Sequence, residues 1–119
     1  MPPVESKNFA HADEVVTFPN GRIELLHVSG GTVARMTFQP GWRWSTDEKP
    51  IVGTEWCEVP HFLFIASGHV QIKMRDGAET LLGPGSVAQL PPGHDAWVVG
   101  SEPVVGVDWS GTTGQAAKH

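Results

Sequence analysis

The stretch Gly53–Gly68, GTEWCEVPHFLFIASG, holds the only cysteine of the chain, Cys57, and a histidine, His61, separated from it by Glu58, Val59 and Pro60. The run HFLFIA after the proline is short, apolar and aromatic, and it closes on Ser67-Gly68, which reads as a buried strand ending in a turn. TEWCE before the proline reads as another strand, Thr54–Glu58. Side chains two apart on a strand point the same way, so Glu55 and Cys57 are expected on one face and Trp56 on the other. Pro60 has no N–H to give a central ladder. It is therefore expected to turn the chain, so that His61 opens the next antiparallel strand and returns opposite Cys57. That geometry would bring Glu55, Cys57 and His61 to one point.

The sequence on either side repeats the same grammar. The chain has 119 residues with 14 glycines and 10 prolines, and these punctuate short β-branched or aromatic runs. The expected strands are Glu14–Phe18, Arg22–Val28, Thr32–Phe38, Thr54–Glu58, His61–Ala66, His69–Arg75, Ala78–Leu82, Ser86–Leu90, Asp95–Val99 and Val104–Trp109. Pro19-Asn20-Gly21, Ser29-Gly30-Gly31 and Asp76-Gly77 supply the turns. In HVQIKMR, Val70, Ile72 and Met74 face inward while His69, Gln71, Lys73 and Arg75 face water. No sustained 3.6-residue period occurs, and residues 42–52 read as irregular. About ten short strands with turns between them imply an all-β sandwich or barrel. One domain is expected, with its core over 14–109, an N-terminal arm over 1–13 with a strand-like patch near Phe9, and a polar tail over 110–119.

Bulk composition removes several classes of function. Net charge is -5, with 8 basic residues and no run of them, which excludes the basic patch of a nucleic-acid binder. The longest apolar run, FLFIA, is far too short for a membrane-spanning helix. A single cysteine gives no internal disulfide. Met1–Glu5 has neither the basic nor the apolar region of a secretory leader, so a cytoplasmic location is expected.

A fourth candidate ligand comes from GPGSVAQLPPGHDAW. Its Pro-Pro-Gly turn delivers His94 to a strand start, where His94, Ala96 and Val98 share a face and Asp95, Trp97 and Val99 share the other. Asp95 is expected to cap or pair rather than ligate. His69 is expected in solvent, His27 as a structural histidine, and His11 and His119 without function.

Here the chain resembles a small single-domain bacterial cupin with altered metal-ligand residues. The first cupin motif reads G-x5-H-x-H-x3/4-E-x6-G. With its last glycine on Gly68, the glutamate position falls on His61 and the two histidine positions fall on Glu55 and Cys57. The second motif reads G-x5-P-x-G-x2-H-x3-N, and Gly85, Pro91 and Gly93 match it in spacing. Its histidine position falls on Ala96, with His94 two residues earlier on the same face. The resemblance runs from Phe38 to about Val107. It implies a cupin double-stranded β-helix, a jelly-roll barrel, with a permuted ligand set of Cys57, His61, His94 and Glu55.

Mixed thiolate, imidazole and carboxylate ligation favours Zn(II), with Fe(II) and Ni(II) behind it. If Glu55 does not ligate, it is the candidate catalytic base beside an open position. The expected function is a metal-binding small-molecule cupin, as an enzyme of dioxygenase, isomerase or hydrolase type. The alternative is a non-catalytic ligand-binding or sensor cupin with a closed structural metal site or no metal. Trp56 and Trp97, expected to face outward, would suit a homodimer interface. Trp42 and Trp44 are read either as a lid over the pocket or as packing for residues 42–52.

Overall fold

A computed structural model describes residues 3–109; the tail expected over 110–119 lies outside them. Among the described residues nine strands form: β1 (Glu14–Phe18), β2 (Gly21–Val28), β3 (Gly31–Phe38), β4 (His61–Ser67), β5 (His69–Met74), β6 (Glu79–Leu82), β7 (Val87–Leu90), β8 (His94–Val99) and β9 (Val104–Asp108). They make a six-stranded sheet in the order β1-β2-β3-β9-β4-β7 and a three-stranded sheet in the order β6-β5-β8. Every pairing is antiparallel. Among the described residues, no helix is long and apolar enough to cross a membrane.

Alternation puts the core between the sheets. Val70 and Ile72 on β5 are buried while His69 and Lys73 are exposed, as the two-residue period requires. Ile23 and Leu25 (β2), Met36 (β3), Leu63 and Ile65 (β4) and Val104 (β9) meet them from the larger sheet. Each such side chain contributes about 1.5–3 kcal/mol on burial. Gly68 turns the chain sharply from β4 into β5 at φ 80°. A Cβ there would sit 2.3 Å from the Pro103 carbonyl oxygen, so the motif glycine is required both by its backbone angle and by close approach.

The segment before β4 departs from expectation. Thr54–Glu58 is not a strand; only Cys57 pairs, in a single bridge to His94. Local bonding explains the loss. Gly53 at φ 86° ends a helix immediately upstream, and the Thr54 hydroxyl donates to the Trp56 carbonyl at 2.7 Å, curling the backbone. Residues expected to be irregular instead form two one-turn helices, α1 (Trp44–Asp47) and α2 (Lys49–Val52). The Asp47 carboxylate accepts the Arg43 backbone N–H at 3.0 Å, satisfying an otherwise orphan donor at the start of α1. Asp95 on β8 accepts a second donor of the same turn, Ser45 N–H, at 3.1 Å and the Ser45 hydroxyl at 2.8 Å. This pairing is the role expected for Asp95, and it ties residues 42–52 to β8.

With the Arg43–Trp97 and Cys57–His94 bridges, the segment also covers the free edge of β8. In the arm, the patch near Phe9 is a single 3₁₀ turn, Phe9–His11, started by the Asn8 side chain accepting the Ala10 N–H at 2.8 Å.

Candidate metal centre

Three of the four expected ligands converge. One donor atom each from Cys57, His61 and His94 lie within 4.8 Å of one another, and all three residues are buried. Cys57 Sγ stands 3.8 Å from His61 Nε2, and the two imidazole rings sit edge to face with centroids 5.3 Å apart. The backbone brings them together by a route the sequence did not suggest. His61 opens β4 directly after Pro60, but Cys57 does not pair with β4. Its N–H donates to the His94 carbonyl at 2.8 Å, and its own carbonyl accepts the Gly93 N–H at 2.8 Å. Gly93, at φ 92°, turns the Pro-Pro-Gly segment so that His94 starts β8 beside Cys57.

Each histidine is held by its other ring nitrogen. His61 Nδ1 faces the Asp108 carboxylate at 2.5 Å, and His94 Nδ1 faces the Pro91 carbonyl at 2.9 Å. A ring nitrogen facing such an oxygen carries a proton, and in His61 this turns Nε2 toward Cys57 Sγ. These are the outer contacts that orient metal-ligating imidazoles.

Asp108 was not singled out from sequence. It is 2% exposed at the end of β9, opposite Leu63 of β4 and Ala34 of β3. The signal for it was the alternation of Val104, Gly106 and Asp108. It puts a carboxylate on the inward face, where a charge needs a partner.

Glu55 does not join the group. Its side chain is 77% exposed and pairs with Lys49 Nζ at 3.0 Å on the surface. The expectation that it shares a face with Cys57 required a strand through Thr54–Glu58, and that strand does not form. The three remaining donors fit a tetrahedral transition metal by chemistry and by spacing. Zn–S and Zn–N bonds of about 2.3 and 2.0 Å put tetrahedral S···N and N···N separations at about 3.5 and 3.3 Å. The Cys57–His61 spacing of 3.8 Å is close to this, and the other pairs, within 4.8 Å, are looser by at most about 1.5 Å, within reach of side-chain rotations. Burial pushes the Cys57 thiol up to about 12, and the Glu48, Glu58 and Asp108 carboxylates add to the rise.

The cluster opens on an internal cavity of about 40 Å³ between the sheets. Apart from Cys57, His61 and His94, its lining is aliphatic or aromatic, and every lining residue is buried. Trp42 and Trp44 are part of this wall, so the two readings of these residues converge: they pack residues 42–52 and they cover the cavity. Trp42 stacks on Phe38 at 3.9 Å between centroids and donates its indole N–H outward to Glu48 at 3.1 Å.

His27 is structural, as expected, held between Glu14 and Thr32. His69 is exposed. Trp97 is half-buried beneath the Arg43 guanidinium, 4.1 Å from its ring centroid, and Trp56 is half-buried as well. The more exposed aromatic side chains are Phe62 and Trp109, at 52% and 50%.

No family model and no curated protein matches the chain. Solved structures do. The chain is similar to KdgF from Halomonas sp., at 15% identity and a TM-score of 0.60, over 90% of this chain and 91% of that one. It is similar to a cupin-like protein from Thermotoga maritima, at 20% identity and a TM-score of 0.54, over 84% of this chain and 75% of that one. The fold is that of a small cupin. An oxalate decarboxylase of Lactobacillus farciminis in its formate complex shares the cupin barrel at 16% identity and a TM-score of 0.59, over 80% of this chain and 30% of that one. On this cupin barrel, His94 rather than the residue at the family's second-motif position, Ala96, carries the histidine. Both line the same cavity, because they share the inward face of β8.

Proposed function

We propose that the chain is a metal-binding small-molecule cupin whose centre is built from Cys57, His61 and His94. The observation that carries this reading is the pair of oriented imidazoles. Asp108 and Pro91 each hold one ring by Nδ1, and one donor atom from each histidine lies within 4.8 Å of the Cys57 thiol. Zinc suits the N₂S set best, with Fe(II) and Ni(II) next. A metal there would supply Lewis acidity at a position the protein leaves open, since three protein ligands are characteristic of working rather than purely structural sites.

The chain's own residues set the conditions. Asp108 fixes the His61 ring and stabilises positive charge on it. Burial of the cluster excludes bulk water. The apolar cavity places a small ligand next to the open position. Glu55, on the surface with Lys49, is not the base.

Metal analysis of protein purified without a histidine tag tests the reading. About one equivalent of metal is expected, lost in Cys57→Ala and in His61→Ala while both variants stay folded. A folded wild-type protein that neither retains nor takes up zinc, iron or nickel would refute it. A homodimer belongs to the same proposal, with Phe62 and Trp109 as its better-exposed aromatic candidates than Trp56 and Trp97. Sedimentation equilibrium at high concentration decides that part.

A further inference from the structure

We infer that the cavity beside the cluster takes an uncharged ligand of only a few non-hydrogen atoms, excluding carboxylates, phosphates and sugars. The inference rests on the metal-centre reading for the ligating position alone; the size and polarity of the cavity stand without it.

Two observations carry it. The first is volume. A cavity of about 40 Å³ accommodates roughly three waters, at the ~10–15 Å³ that each requires. The second is the wall. Beyond the cluster itself, the described lining offers no arginine, lysine, serine, threonine, asparagine or glutamine side chain. The indole N–H of Trp42 is turned away to Glu48. A hydroxyl-rich or anionic ligand would lose its hydration and find no donors to replace it, at a cost of several kcal/mol.

There is also a thin part of the wall. Ile72, Leu82 and Leu90 line both this cavity and an outer cleft of about 170 Å³ at the edge strands β6 and β7. These two strands terminate their sheets and are not hydrogen-bonded to each other. A small apolar molecule therefore needs to displace only side chains to pass from the surface to the cluster.

The test uses the full-length, untagged protein with two forms and three probes. Dimethyl sulfide is the neutral soft donor; acetate and oxalate are the anions. In metal-free protein, dimethyl sulfide should saturably shift the methyl resonances of Leu63, Ile65, Val70 and Leu90 and leave those of Val15 and Val87 in place. In cobalt-loaded protein, it should perturb the visible absorption at a concentration at least tenfold below that needed for acetate or oxalate. Ala96→Ile, which fills the cavity, should weaken dimethyl sulfide at least tenfold. Ala96→Val serves the same purpose if the larger variant does not fold. Cavity methyls unmoved by dimethyl sulfide, or an anion binding the cobalt protein as tightly as the thioether, would overturn the inference. If cobalt fails to bind at all, the metal reading falls and the metal-free arm still decides the ligand class.

Discussion

The thiol of Cys57 makes metal capture by this protein a proton-coupled event. Burial holds the thiol near 12, yet a metal takes it as thiolate. At pH 7 the proton must leave a group about five units below its pKa, which opposes binding by roughly 7 kcal/mol at 1.36 kcal/mol per unit. One proton is released per metal bound, so apparent affinity should rise about tenfold per pH unit through the range 7.5–9, well below the thiol's own titration. Chelator competition across that range reads the slope. Calorimetry in two buffers of different ionisation enthalpy counts the proton independently. Cys57→Ala should bind more weakly and lose the slope. A wild-type affinity that is flat in pH, or a slope that survives in Cys57→Ala, would refute the assignment of Cys57 as a buried thiol turned thiolate ligand.

Further expectations concern the surroundings of the centre. Without metal, the raised Cys57 pKa should make stability fall as pH rises. The contribution of the neutral thiol is fully present below the unfolded value of 9.0 and is lost towards 12, a total of roughly 4 kcal/mol. Urea unfolding at a series of pH values measures this, and Cys57→Ala should flatten the curve. Asp108→Asn should weaken metal binding about 10–100-fold by releasing the His61 ring, while Asp108→Ala should also cost about 1–3 kcal/mol for the buried N–H left behind. Glu55→Gln should change metal affinity little and stability by less than about 1 kcal/mol, because its only described ion pair is exposed; loss of metal in that variant would restore Glu55 to the centre.

Much of this site could be read from local signals. Pro60 and Gly68 bracket β4 because one lacks a ladder donor and the other meets a carbonyl where a Cβ would go. Alternation along β5 and β8 put Val70, Ile72, His94 and Ala96 inside. The failures were those of tertiary context. TEWCE has strand-like residues but no strand partner, so Gly53 and the Thr54 hydroxyl curl it and only Cys57 reaches β8. With that curl, Glu55 swings to solvent and the i, i+2 argument loses its basis. Residues 42–52 carry no apolar period long enough to announce a helix. The first of their two single turns, α1, is held because Asp95 and Asp47 supply its missing acceptors, one of them from a distant strand. Asp108 was hidden for a similar reason: its importance lies in a partner 47 residues away in the chain.

The central claim, that Cys57, His61 and His94 form one metal centre, is tested most directly by the absorption spectrum of the cobalt-loaded, untagged protein. The arrangement predicts a sulfur-to-cobalt charge-transfer band together with intense visible bands of tetrahedral character, the former abolished in Cys57→Ala. A spectrum with weak octahedral bands and no sulfur charge transfer, unchanged by that substitution, would contradict it.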